Sequence, residues 1–558
     1  MTVRISSRER KATHDWRTID AALRRACTYP HPAGRIRRIE THISVVYLAG
    51  RRAYKINKPV TLGFADFTGL TTRQQCCENE VRLNQRLVKS LYAGVLPLMR
   101  VGRTARLGGN RRIIGYAVLM RRFEDGCLFS DLVSTNRLRD GAIERAAERI
   151  ADFHQSIPAL PPRRKYGSAP LFQSQLSAAL DGLDGAGVEV PSAVRSWCNL
   201  ELARLTDDIE ERRRQGFVRE CHGDLHLDNL VKTGRDVLVF DCIAFSESLR
   251  WIDVMSDVAF LVMDLQAHGR PDLAARFLNR WLFLTGDFSG LRVLRLYVVY
   301  RALVRTLVET LKARGDNSAR RARRYLDCAI EAIQPRHPLL LLCHGFSGSG
   351  KSVASAELAP LIGAVRVSSD TERKRNRSFQ PAEGKTLPRT AYARAVIDAH
   401  YDRLRTLACQ VIEGGYSVIV DATFLKNDHR RRFFELADAL SVPVLILDFH
   451  ASTTSLFRRI RERRVDPHRL TDADQQVLVK QLANEDPLVQ EECARTLFFD
   501  TDVPQAAFCE RTYWRSLLSF LNSPVTLQTV QPVQPTASAR EASHATLTCI
   551  NRVSTAPA

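Results

Sequence analysis

Apolar residues follow two different rhythms along this chain, and the change of rhythm orders its elements. Over 43–56 the run ISVVYLAGRRAYKI has short apolar stretches on either side of Ala49-Gly50, which predicts two strands joined by a turn. A helix is expected over roughly 71–89 and a further strand in RRIIGYAVLMRR, 111–122. From about 138 the pattern becomes helical, and LRVLRLYVVYRALVRTLVETLKARG (291–315) repeats its apolar positions at helical spacing, a pattern resumed over 319–333. A small sheet therefore precedes a large helical part.

At QPRHP, 334–338, two prolines interrupt the helical region, and LLLLCHGF then reads as a buried strand running into a glycine-rich loop. The predicted organisation is a polar, flexible start over 1–15, a first domain over 16–335 and a second over 338–522. Beyond 523 the chain is rich in Ser, Thr, Pro and Gln with little apolar periodicity, which predicts a disordered tail to 558. A length of 558 residues is ample for two separate cores.

The stretch HGDLHLDNL, 222–230, is followed by the strand-like VLVFD, 237–241. A hairpin turning near Gly234 and Arg235 is expected to set Asn229 opposite Asp241, so that an amide oxygen and a carboxylate converge as magnesium ligands. Asp224, on the incoming loop, suits an acceptor hydroxyl as base or orienting group, while His222 reads as a brace of the loop. Phosphoryl transfer also needs a fixed cation held by a carboxylate. Lys55 on the second hairpin strand and Glu80 on the next helix fill these places, with Glu78 competing for the helix role.

With these residues in this order, the chain over about 40–330 resembles the aminoglycoside phosphotransferase family and its small-molecule kinase relatives. The resemblance implies a protein-kinase-like bilobal fold, with ATP bound through Lys55 and Glu80, and Asp257 as a structural aspartate behind the catalytic loop. It lacks a GxGxxG cover over the phosphates, and THIS (41–44) is the substitute expected here. Two-domain relatives usually read DCIEFN after the metal aspartate; here the segment is DCIAFS, so Ala244 and Ser246 replace an acid and an amide among the expected substrate contacts.

The second signature, GFSGSGKS at 345–352, fits the phosphate-binding loop pattern completely and follows an apolar strand. Gly345, Ser347, Gly348, Ser349, Gly350, Lys351 and Ser352 are expected around ATP, with backbone N–H groups at a helix start wrapping the phosphates and the Ser352 hydroxyl on magnesium. Asp421 ends the buried strand in YSVIVDATF and is expected to hold the metal through water. Asp370, in AVRVSSDTERKR, is placed where a small kinase receives its second substrate. In LFRRIRERRVDPH, Arg458, Arg461 and Arg464 are the lid candidates, with a solvated charged helix as the plainer alternative. Residues 338–520 resemble small P-loop kinases of the zeta-toxin, polynucleotide-kinase and gluconate-kinase-like group, often grouped with AAA-type ATP-binding domains. Asp370 is by that resemblance the base or anchor for the substrate hydroxyl, and the resemblance implies a P-loop NTPase domain with a parallel sheet, making the chain a multidomain α+β and α/β protein.

The formal charge of +21, from 82 Lys+Arg against 61 Asp+Glu, favours anionic partners. Arginine is spread through nearly every segment and no helix-long basic stripe with aromatics occurs, so nucleic acid is admitted but not favoured. The 13 cysteines form no CxxC pairs and predict reduced thiols rather than a zinc site. No run approaches a bilayer span, and the start has no apolar signal core, which predicts a soluble cytoplasmic protein without a membrane partner. The expected function is a bifunctional phosphotransferase, both domains using Mg-ATP on hydroxyls of small molecules or nucleotides. The alternative is a regulatory protein in which one domain, the first by preference, senses nucleotide without catalysis.

Overall fold

The computed structural model describes residues 7–522 apart from 42, 63–64, 162–163, 313–315, 376–393 and 464–474. The chain groups into two compact units, the first built from Met1–His337 with the short stretches Ala359–Val365 and Cys409–Tyr416, the second from the rest. The predicted tail over 523–558 lies outside the described residues.

The first unit opens on a helix, which corrects the expectation of a flexible start from Ser7 onward: α1 spans Ser7–Leu23. Its charged surface hides a stripe in which Ala12, Ile19, Ala22 and Leu23 are buried and Trp16 packs against the same core. Asp20 also accepts from the Tyr47 hydroxyl and, at 2.9 Å, from Arg38 Nε, which ties α1 to the sheet. The sheet is formed by β1 (Arg37–Glu40), β2 (Ser44–Ala49), β3 (Arg52–Asn57), β6 (Tyr92–Val101), β7 (Thr104–Leu107) and β8 (Ile113–Arg121), in the order β1-β2-β3-β8-β6-β7, all antiparallel. Between them lie the short pair β4 (Thr61–Leu62) and β5 (Ala65–Asp66) and the helix α2 (Leu70–Val88). The turn between β2 and β3 needs Gly50: its φ is +57°, and a Cβ there would stand 2.6 Å from the Pro32 carbonyl oxygen.

The helical part comprises α3 (Phe129–Ser134), α4 (Asp140–Ser156), α5 (Ala169–Gly185) and α6 (Ser192–Arg214), then the strand β9 (Val218–Glu220) and the hairpin β10 (Leu230–Thr233) and β11 (Asp236–Val239). It continues through α7 (Glu247–Arg250), β12 (Trp251–Asp253), α8 (Val254–Ala267), α9 (Pro271–Thr285), α10 (Leu291–Leu311) and α11 (Asp316–Ala332). Helix α8 is buried almost throughout, with α9, α10 and α11 packed on it. Its start is set by a buried ion cluster. The Arg212 guanidinium forks to Asp253 at 2.7 and 2.9 Å and to Asp287 at 2.7 Å on each nitrogen, and Asp253 caps α8 by accepting from Met255 N–H.

The second unit is a five-stranded sheet in the order β14-β15-β13-β16-β17, made of β13 (Leu340–His344), β14 (Val365–Ser368), β15 (Val418–Asp421), β16 (Val444–His450) and β17 (Thr496–Asp500). The pairs β13–β15, β13–β16 and β16–β17 are parallel. Every residue of β13 and β15 is buried, as central strands require. The crossovers carry α12 (Lys351–Ile362), α13 (Ser369–Arg375), α14 (Arg394–Glu413), α15 (Asn427–Ala439), α16 (Thr453–Arg463), α17 (Gln475–Ala483) and α18 (Gln490–Cys493), and α19 (Arg515–Asn522) follows β17. Among the described residues no helix is long and apolar enough to cross a membrane.

Removing one member of a buried ion cluster strands the others without compensation. Arg212→Ala is therefore expected to destabilise the first unit by about 3–5 kcal/mol in urea unfolding. A loss below about 1 kcal/mol would show that the cluster does not hold the start of α8.

Candidate functional sites

In the first unit, Lys55 lies at the middle of β3, paired with Val46 on one side and Val118 on the other. Its Nζ reaches Glu80 Oε1 on α2 at 3.0 Å and also contacts Asp241 Oδ1. Burial works against the ammonium, but Asp241 and Glu80 outweigh it and hold Lys55 above the ordinary lysine range. Glu78, the competing acid, instead accepts from Gln74 on the exposed side of α2. One turn beyond Glu80, Asn84 donates to the Glu80 carbonyl at 2.8 Å and accepts from Cys242 N–H at 3.0 Å, while the Tyr92 hydroxyl accepts from Asp241 N–H at 3.1 Å.

The hairpin register corrects one expectation. Thr233 pairs with Asp236, so Leu230 meets Val239, and Phe240 N–H donates to the Asn229 carbonyl at 3.0 Å. Asn229 thus lies opposite Phe240, and Asp241 stands one residue further on with φ +67°, because a two-residue turn at Gly234-Arg235 fixes the sum of paired positions. The left-handed bend turns the chain at Asp241, and the hydrogen bonds that Asp241 N–H and Cys242 N–H donate to Tyr92 and Asn84 secure it.

Loop 222–229 is pinned by two acids of α8. Asp257 accepts from His222 N–H and Gly223 N–H, both at 2.8 Å, with His154 Nε2 at 3.2 Å from the same carboxylate. Asp264, seven residues on and therefore on the same helix face, accepts from Leu227 N–H and from the Tyr325 hydroxyl, each at 2.8 Å. Arg301 on α10 donates to the Gly223 carbonyl at 3.0 Å. His222 accepts Asp224 N–H on Nδ1 at 3.2 Å and so carries its proton on Nε2, 2.8 Å from the Phe240 carbonyl. Asn229 Nδ2 donates to the Asp224 carbonyl at 2.8 Å and to Oδ2 at 3.2 Å. Burial pushes the Asp224 carboxyl upward, but His226, Arg305 and His222 outweigh it and hold it well below the usual carboxylate range. Thr41 and Ser44 bond each other at the start of β2, and His42 of the expected phosphate cover lies outside the described residues.

In the second unit the loop after β13 has three glycines at positive φ: Gly345 at +133°, Gly348 at +89° and Gly350 at +83°. A Cβ on Gly345 would stand 2.6 Å from the Phe449 carbonyl oxygen, and one on Gly348 2.9 Å from that of Leu456. The loop is shaped for an anion, with N–H groups at the start of α12 and Lys351 Nζ donating to the Phe346 carbonyl at 3.2 Å. Ser349 Oγ is buried and takes no hydrogen bond from a described residue, and Ser347 N–H donates to Gln481 Oε1 at 2.9 Å. The β13–β15 register pairs Cys343 with Asp421, which brings Ser352 Oγ within 3.1 Å of Asp421 Oδ1 while Arg366 pairs with the other oxygen. Asp370 lies in the first turn of α13, partly exposed, with Arg373 at 3.8 Å. Its neighbour Ser369 meets His400 Nε2 at 3.0 Å.

Of the lid candidates, Arg458 and Arg461 are exposed on α16, and Arg464 lies outside the described residues. Among the described residues, the α16 arginine that reaches the phosphate loop is Arg459, which donates to the Gly348 carbonyl at 3.3 Å and to the Thr501 carbonyl at 2.6 Å. Helical spacing separates it: one position along α16 turns a side chain by about 100°. Asn84, Tyr92, His226, Arg301 and Arg366 also went unnoticed in the sequence. Asp264 carries a legible signal, since DVAFLVMD places two acids seven residues apart with only apolar residues between them.

Both donor sets suit a magnesium nucleotide. Asn229, Asp241, Ser352 and Asp421 offer hard oxygens, Lys55 and Lys351 offer cations, and Gly345 and Gly348 stand where a Cβ would strike a neighbouring carbonyl.

Residues 73–297 match the family model described as phosphotransferase enzyme family, and residues 340–488 match that described as AAA domain. Uncharacterised proteins of Mycobacterium bovis and Mycobacterium tuberculosis are 30% identical over 431 residues, covering 74% of this chain and 83% of each relative. Among solved structures, a choline/ethanolamine kinase family protein from Mesorhizobium loti is 17% identical with a TM-score of 0.37, over 57% of this chain and 95% of that one. The APS kinase of Mycobacterium tuberculosis is 15% identical with a TM-score of 0.24, over 34% of this chain and all (100%) of that one.

Burial, with the charge of Arg373 beside it, pushes His400 from its ordinary value near 6.5 down to about 4. The folded state then binds fewer protons than the unfolded one between these values, so this contribution to stability is complete above about pH 6.5 and is lost as pH falls toward 4. His400→Gln is expected to flatten the fall in melting temperature between pH 7 and pH 4.5. An unchanged pH slope would contradict this assignment.

Proposed function

The chain belongs to the same family as its mycobacterial relatives, a phosphotransferase-family domain followed by an AAA domain, and from that premise we propose a bifunctional ATP-dependent phosphotransferase. Each unit is read as transferring phosphate to a hydroxyl of a small molecule or nucleotide. The observation that carries the reading is the convergence of Lys55 on Glu80 and Asp241, with Asp224 held by Asn229.

Lys55 would bind the phosphates and Glu80 would orient it, as the 3.0 Å contact allows. Asn229 Oδ1 and Asp241 would hold a magnesium ion, and in the second unit Ser352 and Asp421 would do so. When bound, that ion supplies charge neutralisation on the phosphate oxygens. Asp224 is kept ionised and faces the acceptor hydroxyl. The hydroxyl oxygen forms a bond to the γ-phosphorus as the bond to the β–γ bridging oxygen breaks and ADP leaves with that electron pair, the proton passing to Asp224. Lys351 and the loop N–H groups would play the binding part in the second unit, with Asp370 receiving its acceptor. The reading places the protein in the ATP-containing cytoplasm.

A second reading keeps nucleotide binding in the first unit but assigns it to regulation. It is supported by Ala244, a buried methyl where the resemblance expects an acid. Tight ATP binding with a raised melting temperature and no turnover by that unit would favour it.

The test uses radiolabelled ATP and a broad panel of hydroxyl-bearing metabolites and nucleotides. Asp224→Ala is expected to lower transfer by the first unit about 100-fold or more, and Lys351→Ala to lower transfer by the second on a similar scale, about 100-fold. The proposal fails if neither substitution lowers transfer to any compound of the panel.

A further inference from the structure

The two oxygens of Asp224 are treated differently. Oδ2 is approached by Asn229 Nδ2 and by His226 Nε2, each at 3.2 Å, whereas Oδ1 takes no hydrogen bond from a described residue. A carboxylate turns easily about its terminal torsion, which is broad and two-fold. One donor leaves it able to pivot, and two donors on a single oxygen from different directions stop it.

His226 is itself immobilised. Its Nδ1 accepts from Asp228 N–H at 3.3 Å, in the single turn of 3-10 helix over Leu227–Asn229, so the proton is on Nε2, the atom facing Asp224. The ring lies tilted against Phe260 with centroids 5.5 Å apart, and only 6% of the residue is exposed. The next residue, Leu227, is held through its N–H by Asp264. Nε2 also lies 3.4 Å from Asn229 Nδ2 and 3.5 Å from Arg305 Nη1, and Arg305 is bonded in turn to Glu309 and Tyr325. A buried ring whose Nδ1 is taken by Asp228 N–H and whose Nε2 lies 3.2 Å from the Asp224 oxygen that the acceptor does not use does more than fill space.

Resting on the reading of the first unit as a phosphotransferase, we propose that His226 is a positioning residue of that site. By donating from Nε2 to Oδ2 it locks the rotation of the Asp224 carboxylate and presents Oδ1 to the attacking hydroxyl. In the transfer itself that hydroxyl bonds to the γ-phosphorus as ADP departs, and Oδ1 receives the proton. His226 exchanges no proton. A carboxylate free to swing loses the alignment on which intramolecular proton transfer depends, and a misplacement of about 1 Å is enough to cost about 100-fold.

The experiment uses the full chain carrying Lys351→Ala, which silences the second unit, and measures phosphate release from MgATP with water as the acceptor. Against that parent, His226→Leu is expected to lower kcat about 10- to 100-fold with the KM for ATP unchanged, and His226→Gln, whose amide also donates, to recover most of the loss. Should the leucine variant fail to fold by thermal melting, His226→Met replaces it as the chain of similar length that cannot donate. Independently of turnover, the imidazole nitrogen resonances of the 15N-histidine-labelled chain are expected to show His226 as the neutral Nε2-protonated form. The inference is overturned by a leucine or methionine variant within twofold of the parent, by a glutamine variant no better than they are, or by a proton on Nδ1. A parent chain inert toward water and toward every compound of the hydroxyl panel would instead sink the reading of the first unit as a phosphotransferase, while the nitrogen spectrum still decides whether His226 is the donor described here.

Discussion

A backbone N–H group taken out of water must be given an acceptor, and the first unit meets that demand for its central loop with two acids of one helix. Asp257 takes the donors of His222 and Gly223, and Asp264 takes that of Leu227. Both are buried in α8, with only apolar residues between them, so their own charges are tolerated only because each is fully engaged. Loop 222–229 is thereby held to a single helix face, and the helix start is anchored by Arg212 between Asp253 and Asp287. Everything else at that site, including the aim of Asp224 and the bend at Asp241, is measured from this fixed loop.

The second unit meets the same demand from the other side. Its phosphate loop presents backbone donors at a helix start, with glycines at 345 and 348 where a Cβ would collide with the Phe449 and Leu456 carbonyls. Its carbonyls are secured by neighbours: Arg459 donates to Gly348 and Thr501 to Ser349 at 2.6 Å. In one unit side chains order a loop that presents side chains, and in the other they order a loop that presents backbone.

The candidate residues were more legible than their supports. Asp224, Asn229 and Asp241 stand close together in the chain, and GFSGSGKS is contiguous, so short-range pattern alone singles them out as candidates. Lys55 and Glu80 could be picked out only by the order of elements, and the structure sets them 3.0 Å apart. Helix α1 was missed because its charges outnumber a stripe at Ala12, Trp16, Ile19 and Leu23 that already has helical spacing. The one-residue offset between Asn229 and Asp241 follows from turn length alone and was open to simple counting. Arg459 was not: α16 is rich in arginine, and which one meets Gly348 depends on how that helix packs through Leu456 and Ile460. Tyr92, Asn84 and Arg301 act across long sequence separations, and no local pattern marks them.

The account rests on each unit binding its own nucleotide. Calorimetric titration of the intact chain with a non-hydrolysable ATP analogue and magnesium is predicted to give two molecules bound per chain, falling to one when Lys55 or Lys351 alone is replaced by alanine. One molecule or none bound by the intact chain would contradict it.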